Sequence, residues 1–98
     1  MILVRNTFQL QFGKAKEAKA VIQAGMKALT APGLIEHRAY MDLSGPFYTL
    51  VLENTWESMG AFEKALADLG NQKEWQQWYA KLVPLVVSGH REIYSVIA

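Results

Sequence analysis

From Met1 to Phe12 apolar and polar positions alternate: Ile2, Val4, Phe8 and Leu10 fall on one side with Asn6 among them, and Arg5, Thr7, Gln9 and Gln11 on the other. Successive side chains of a pleated strand point to opposite faces, so this stretch reads as a first strand. The period changes after Gly13. Ala18, Val21, Ile22, Gly25, Met26 and Leu29 recur at three- and four-residue intervals, with Lys14, Lys16, Glu17, Lys19, Gln23 and Lys27 around the rest. That spacing predicts an amphipathic helix reaching Ala31 and stopped by Pro32-Gly33.

Two extended runs follow, Leu34 to Leu43 and Phe47 to Asn54, joined by Ser44-Gly45-Pro46. Their β-branched, aromatic and aliphatic content and the Gly and Pro at the joint predict a β-hairpin. In the second run Tyr48, Leu50 and Leu52 share a core face; in the first, Ile35, His37, Ala39 and Met41 form the more apolar set, with His37 as its exception. Thr55 or Ser58 can cap a second helix striped by Met59, Phe62, Leu66 and Leu69 and ended by Gly70-Asn71. A short helix carries Trp75, Trp78, Tyr79 and Leu82 at i, i+3, i+4 and i+7 up to Pro84. The last strand is expected from about His90 to Ala98, with His90, Glu92, Tyr94 and Val96 facing one way and Arg91, Ile93, Ser95 and Ile97 the other.

The order β-α-β-β-α-β is that of the ferredoxin-like fold, an α+β antiparallel sheet with its helices on one face. Residues 1–98 are then one domain. The uncovered face would carry Arg5, Thr7, Gln9, Arg38, Tyr40, Thr49, Val51, Arg91 and Ile93, too apolar for plain solvent and too charged for a core. A second copy packed there resolves this, so a homodimer is expected.

Composition narrows the function. The chain is 51% hydrophobic and has no cysteine, which removes disulfides, thiol nucleophiles and thiolate metal sites. A net charge of +1, with the basic residues dispersed, leaves no footprint for nucleic acid. No run is long enough for a membrane span, and no signal-peptide layout opens the chain, so a cytoplasmic protein is expected. Phosphate-binding glycine loops and the zinc-protease motif are absent, and two histidines without supporting carboxylate spacing give no metal site.

The remaining signal is a pocket. Asn6, His37, Tyr48 and Tyr94 interrupt an aliphatic helix-facing sheet surface, and Trp75, Trp78 and Tyr79 come from the helical unit over it. Apolar walls with a few convergent polar groups suit a small apolar or aromatic ligand. Core packing alone also explains the aromatics, and backbone hydrogen bonds would satisfy Asn6 and His37. In a catalytic reading His37 abstracts a proton while Asn6 or Tyr48 holds the developing oxyanion, with no cofactor. His90 reads as a rim residue, and Arg38 and Arg91 as charge partners of Glu36 or Glu53.

The Pro32-Gly33-Leu34 turn, the Glu53-x-x-Trp56-x-Ser58-x-x-Ala61-Phe62 passage and the Trp-rich second helical unit, together with the element order, resemble the dimeric α+β barrel superfamily. Within it the chain is most similar to small antibiotic-biosynthesis-monooxygenase and NIPSNAP-type domains. The resemblance implies a homodimer whose sheets close into a barrel, with a ligand cleft between sheet and helices. It also implies two functions: cofactor-independent oxygenation of an apolar or aromatic substrate, or a non-catalytic ligand-binding or interaction module. Haem-degrading members pair an Asn on the first strand with a Trp and a His on the second helical unit; Asn6 matches, while Ala65 and Tyr79 stand at the other two positions. Where monooxygenases carry a His several residues after the E-x-x-W-x-S passage, this chain has Glu63, Lys64 and Ala65. Haem degradation is therefore not expected.

Overall fold

The computed structural model describes residues 1–28 and 30–98, so the expected helical position Leu29 lies outside the described residues. In chain order the elements are β1 (Ile2–Leu10), α1 (Ala15–Ala28), β2 (Leu34–Met41), β3 (Thr49–Trp56), α2 (Met59–Gly70), α3 (Lys73–Leu82), a 3-10 turn (Val83–Leu85) and β4 (Val86–Ser95). The strands form one sheet in the order β2-β3-β1-β4, every neighbouring pair antiparallel. This is the ferredoxin-like α+β fold.

The alternation in β1 does what its pattern implies: Val4 and Leu10 are buried under the helices, alongside Leu50 of β3. Ala18 and Ile22 of α1, with Leu82 at the end of α3 and Leu85 of the 3-10 turn, close the core over Leu10 and Leu50. A second cluster at the other end joins Val4 and Trp56 of the sheet to Phe62 and Ala65 of α2. Ser58, and not Thr55, caps α2, its Oγ accepting from the Ala61 N–H at 3.2 Å; Thr55 still belongs to β3.

The hairpin strands are shorter than expected at the turn, because residues 42–48 are folded back by local bonds. The Asp42 carboxylate accepts from the Thr49 N–H at 2.8 Å, and the Thr49 hydroxyl donates to the Pro46 carbonyl at 2.9 Å. Tyr48 sits there with φ +31°, a left-handed conformation that non-glycine residues rarely adopt.

Strand β4 corrects the expectation twice. It begins at Val86, not His90, and its faces are reversed. Antiparallel partners share a face, and the register pairs Asn6 with Arg91, Val4 with Ile93 and Leu3 with Tyr94. Arg91 and Ile93 therefore point to the helix side, while His90, Glu92 and Tyr94 point to the open side. From Val87 onward β4 is exposed, so burial does not impose a hydrophobic pattern on it, and apolar residues occur at both parities.

Candidate functional site

Side chains on the helix-facing side of β2 and β3 form the floor of a cavity of 160 Å³, roofed by α1 and α3. His37 stands on β2 directly opposite Asn54 of β3, with Leu34 and Leu52 beside them. Ile22, Gly25 and Met26 enter from α1, and Trp75 and Trp78 from α3. The sequence places these groups for simple reasons. His37 and Asn54 occupy core-side positions of their strands, and Trp75 and Trp78, three residues apart, share a face of α3.

Trp78 is fixed by a bond to another helix. Its indole N–H donates to the Val21 carbonyl at 2.8 Å, a contact possible only because α1 has glycine at position 25. A Cβ there would stand 2.5 Å from Cε2 and 2.9 Å from Cδ1 of Trp78. On the floor, the Trp56 indole N–H donates to Asn54 Oδ1 at 2.6 Å, and its ring lies 5.7 Å from that of Phe62. This orients Asn54 so that its amide N–H groups remain available. Among the described residues no protein group bonds to those N–H groups or to the His37 imidazole, and no unpartnered side-chain polar atom is sealed from solvent, so these groups stand open to water or a ligand.

Of the residues expected to be catalytic or ligand-binding, His37, Trp75 and Trp78 line this cavity, and Asn6, Tyr48, Tyr79 and Tyr94 do not; Arg38 and Glu53 border it from the sheet. Asn6 lies two strands from β2, about 10 Å across the sheet, and its Oδ1 accepts from Arg91 Nε at 2.7 Å. The Arg91 guanidinium in turn covers the Phe62 ring at 5.3 Å. Tyr48 lies at the hairpin end, against a separate depression. Tyr79 stacks on Trp75 at 4.9 Å, nearly half exposed, outside the lining. Tyr94 is on the opposite face of the sheet, a consequence of the β4 register. Asn54 and Trp56 are not among the expected pocket residues, although extending the Tyr48, Leu50, Leu52 parity by two steps reaches both.

The open face carries the charge. Arg5 Nε meets Glu53 at 2.8 Å and Arg38 Nε meets Glu36 at 2.7 Å, and these bonds raise both guanidinium pKa values. The Tyr94 hydroxyl donates to Glu92 at 2.6 Å, which together with desolvation pushes its pKa above the ordinary tyrosine value. Arg5 sits 5.3 Å over the Tyr94 ring. Among the described residues no three His, Cys, Asp or Glu side chains converge as metal ligands, and no helix is long and apolar enough to cross a membrane.

The NIPSNAP family model matches residues 5–98, so the chain belongs to the NIPSNAP family. None of the curated protein sequences matches it. Among solved structures it is similar to a NIPSNAP family protein from Agrobacterium tumefaciens, with 20% identity over 96% of this chain and 90% of that one and a TM-score of 0.83. A NIPSNAP-like domain protein from Burkholderia xenovorans gives 21% identity over 99% and 85% at a TM-score of 0.85. SnoaB, a cofactor-independent oxygenase from Streptomyces nogalater, gives 17% over 99% and 93% at 0.76. The fold is thus shared by NIPSNAP domains and an oxygenase, and is that of the dimeric α+β barrel superfamily.

Proposed function

We propose that the cavity beside His37 binds a small, largely apolar molecule through a single aromatic ring. One observation carries this reading: with both Trp75 and Trp78 packed in place, 160 Å³ remains open between them and His37. A cavity of about 150 Å³ holds benzene, so the buried part of the ligand is one ring. The walls supply apolar contact, and His37 and Asn54 supply the polar ends that fix orientation.

The same geometry supports proton abstraction. The His37 imidazole borders the cavity, where a ring nitrogen can take the proton of a phenolic hydroxyl. The Asn54 amide N–H groups then hold the phenolate oxygen, the role that Asn6 and Tyr48 are too far away to fill. The electron-rich ring passes an electron to dioxygen and the two radicals join carbon to oxygen; the protonated His37 returns its proton to the distal peroxide oxygen, and loss of the C–H proton with cleavage of the O–O bond releases water and leaves a quinone. SnoaB, with the same fold, is a cofactor-independent oxygenase. We propose this oxidation as the activity, with the homodimer formed through the open sheet face. Tyr40 and Tyr94 are more than 40% exposed there, beside the Arg5–Glu53 pair.

The test is a panel of one-ring phenols scored for melting temperature and for oxygen uptake. A ligand at about 100 times its Kd should stabilise the fold by about 2.7 kcal/mol. A saturable stabilisation with oxygen consumption that His37→Ala abolishes supports the proposal. Stabilisation without oxygen uptake leaves a binding module, and no stabilisation by any ring compound contradicts the reading.

A further inference from the structure

We propose that a second depression, under the N-terminal half of α1, binds a single anionic head group on a flexible apolar chain, of the kind a fatty acid carboxylate presents. It encloses 580 Å³ and is separate from the His37 cavity except for Ile22, which borders both. Its open floor is Ala39 and Met41 of β2, with the buried Leu50 of β3 and Ile22 of α1 closing its inner end. Ala39 faces the helix side of β2 yet is exposed, so α1 does not cover the sheet at this end. The missing side-chain volume at Ala39 and the adaptable Met41 leave an apolar floor suited to an alkyl chain.

The rim gives the head group its sign. Lys16 and Lys19 are three residues apart on α1 and both border the depression. Lys14 is engaged by Glu17 at 3.3 Å, whereas Lys16 and Lys19 have no acidic partner among the described residues. Both lie in the first turns of α1, where the helix dipole adds to the positive field. The opposing charge is Asp42, on the hairpin side; its carboxylate already accepts from the Thr49 N–H, and its repulsion directs an anion toward the lysines. Two point-charge ammonium groups without an arginine fork suit a monoanionic carboxylate better than a bidentate phosphate.

Tyr48 closes the hairpin end of the depression. A tyrosine with φ +31° is held there by two bonds to its carbonyl, from the Leu10 N–H at 2.8 Å and the Gln9 side chain at 3.4 Å, and by Phe12, 5.1 Å from its ring. These contacts hold the ring in place as the end wall of the depression, so a chain seated on Ala39 and Met41 would run up against it.

Decanoate and decanol, titrated into the isotopically labelled full chain and followed by NMR, test the assignment. Decanoate should bind one-to-one and shift Ala39, Met41 and Tyr48. The exposed double variant Lys16→Gln/Lys19→Gln should weaken decanoate about tenfold, the loss expected for two charge-assisted contacts at a solvent-accessible rim, and leave decanol unchanged. His37→Ala should alter neither, which separates this site from the ring cavity. Ala39→Phe should abolish both ligands. Equal weakening of the two ligands by the lysine variant, shifts confined to the open sheet face, or no saturable binding would overturn the proposal.

Discussion

Replacing Gly25 with alanine should destabilise the protein, although the same change in an ordinary helix interior stabilises by about 0.5 to 1 kcal/mol. The new Cβ would fall 2.5 Å from Trp78 Cε2 and closer still to Nε1, so the indole must move. Overpacking of this kind costs roughly 1 to 3 kcal/mol. The displaced indole N–H also loses the Val21 carbonyl, worth about 1 kcal/mol. Set against the helix gain, the net loss is about 2 kcal/mol, or roughly 10 °C in Tm for a domain of this size. Urea unfolding followed by far-UV circular dichroism measures it without relying on tryptophan signal. The sign should invert in a Trp78→Ala background, where Gly25→Ala has nothing to strike and should stabilise by about 0.5 to 1 kcal/mol. A neutral or stabilising Gly25→Ala in the unaltered chain would refute the contact that sets the cavity's α3 wall.

Four further outcomes are expected. Leu50→Ala, at a fully buried position, should cost about 3 to 5 kcal/mol by denaturant unfolding, because the sheet beneath it cannot collapse into the space. Tyr94 should titrate above the ordinary tyrosine value in ultraviolet absorbance, and Glu92→Gln should lower it; since the folded value is raised, the associated stability is present below the unfolded tyrosine value near 10 and is lost as pH rises through the folded one. Light scattering at micromolar concentration should give twice the 11.0 kDa of one chain, and a monomer mass throughout would reject the open-face dimer. Haemin should produce no saturable Soret shift; a one-to-one shift abolished by His37→Ala or His90→Ala would reopen a haem role.

The β1 alternation and the three- and four-residue spacing of α1 were legible because burial enforces them: a polar residue at Val4 or Ile22 would be paid for in core energy. At β4 that constraint is missing, and the sequence could not say which parity faced the helices. Only the pairing of Asn6 with Arg91 decides it, and pairing across 85 residues is a property of topology. The same distinction divides the site. His37 and the two tryptophans could be found because each lies on a face its own element defines. Asn6 was misplaced for a different reason: its face was right, but which strands flank β2 follows from sheet order, and β1 is two strands away. Asn54 is not legible as a site residue because the second extended run is expected to end on it, whereas β3 continues to Trp56.

A ring seated in the cavity between His37 and the α3 tryptophans would touch both walls at once. NMR on the labelled protein with a saturating one-ring phenol tests that placement most directly, through nuclear Overhauser contacts from the ligand ring. Contacts to His37, Leu52 and Trp78 are expected together at one-to-one stoichiometry, with Asn6 and Tyr94 silent. Contacts confined to Tyr94 and the open face, or none at saturation, would contradict it.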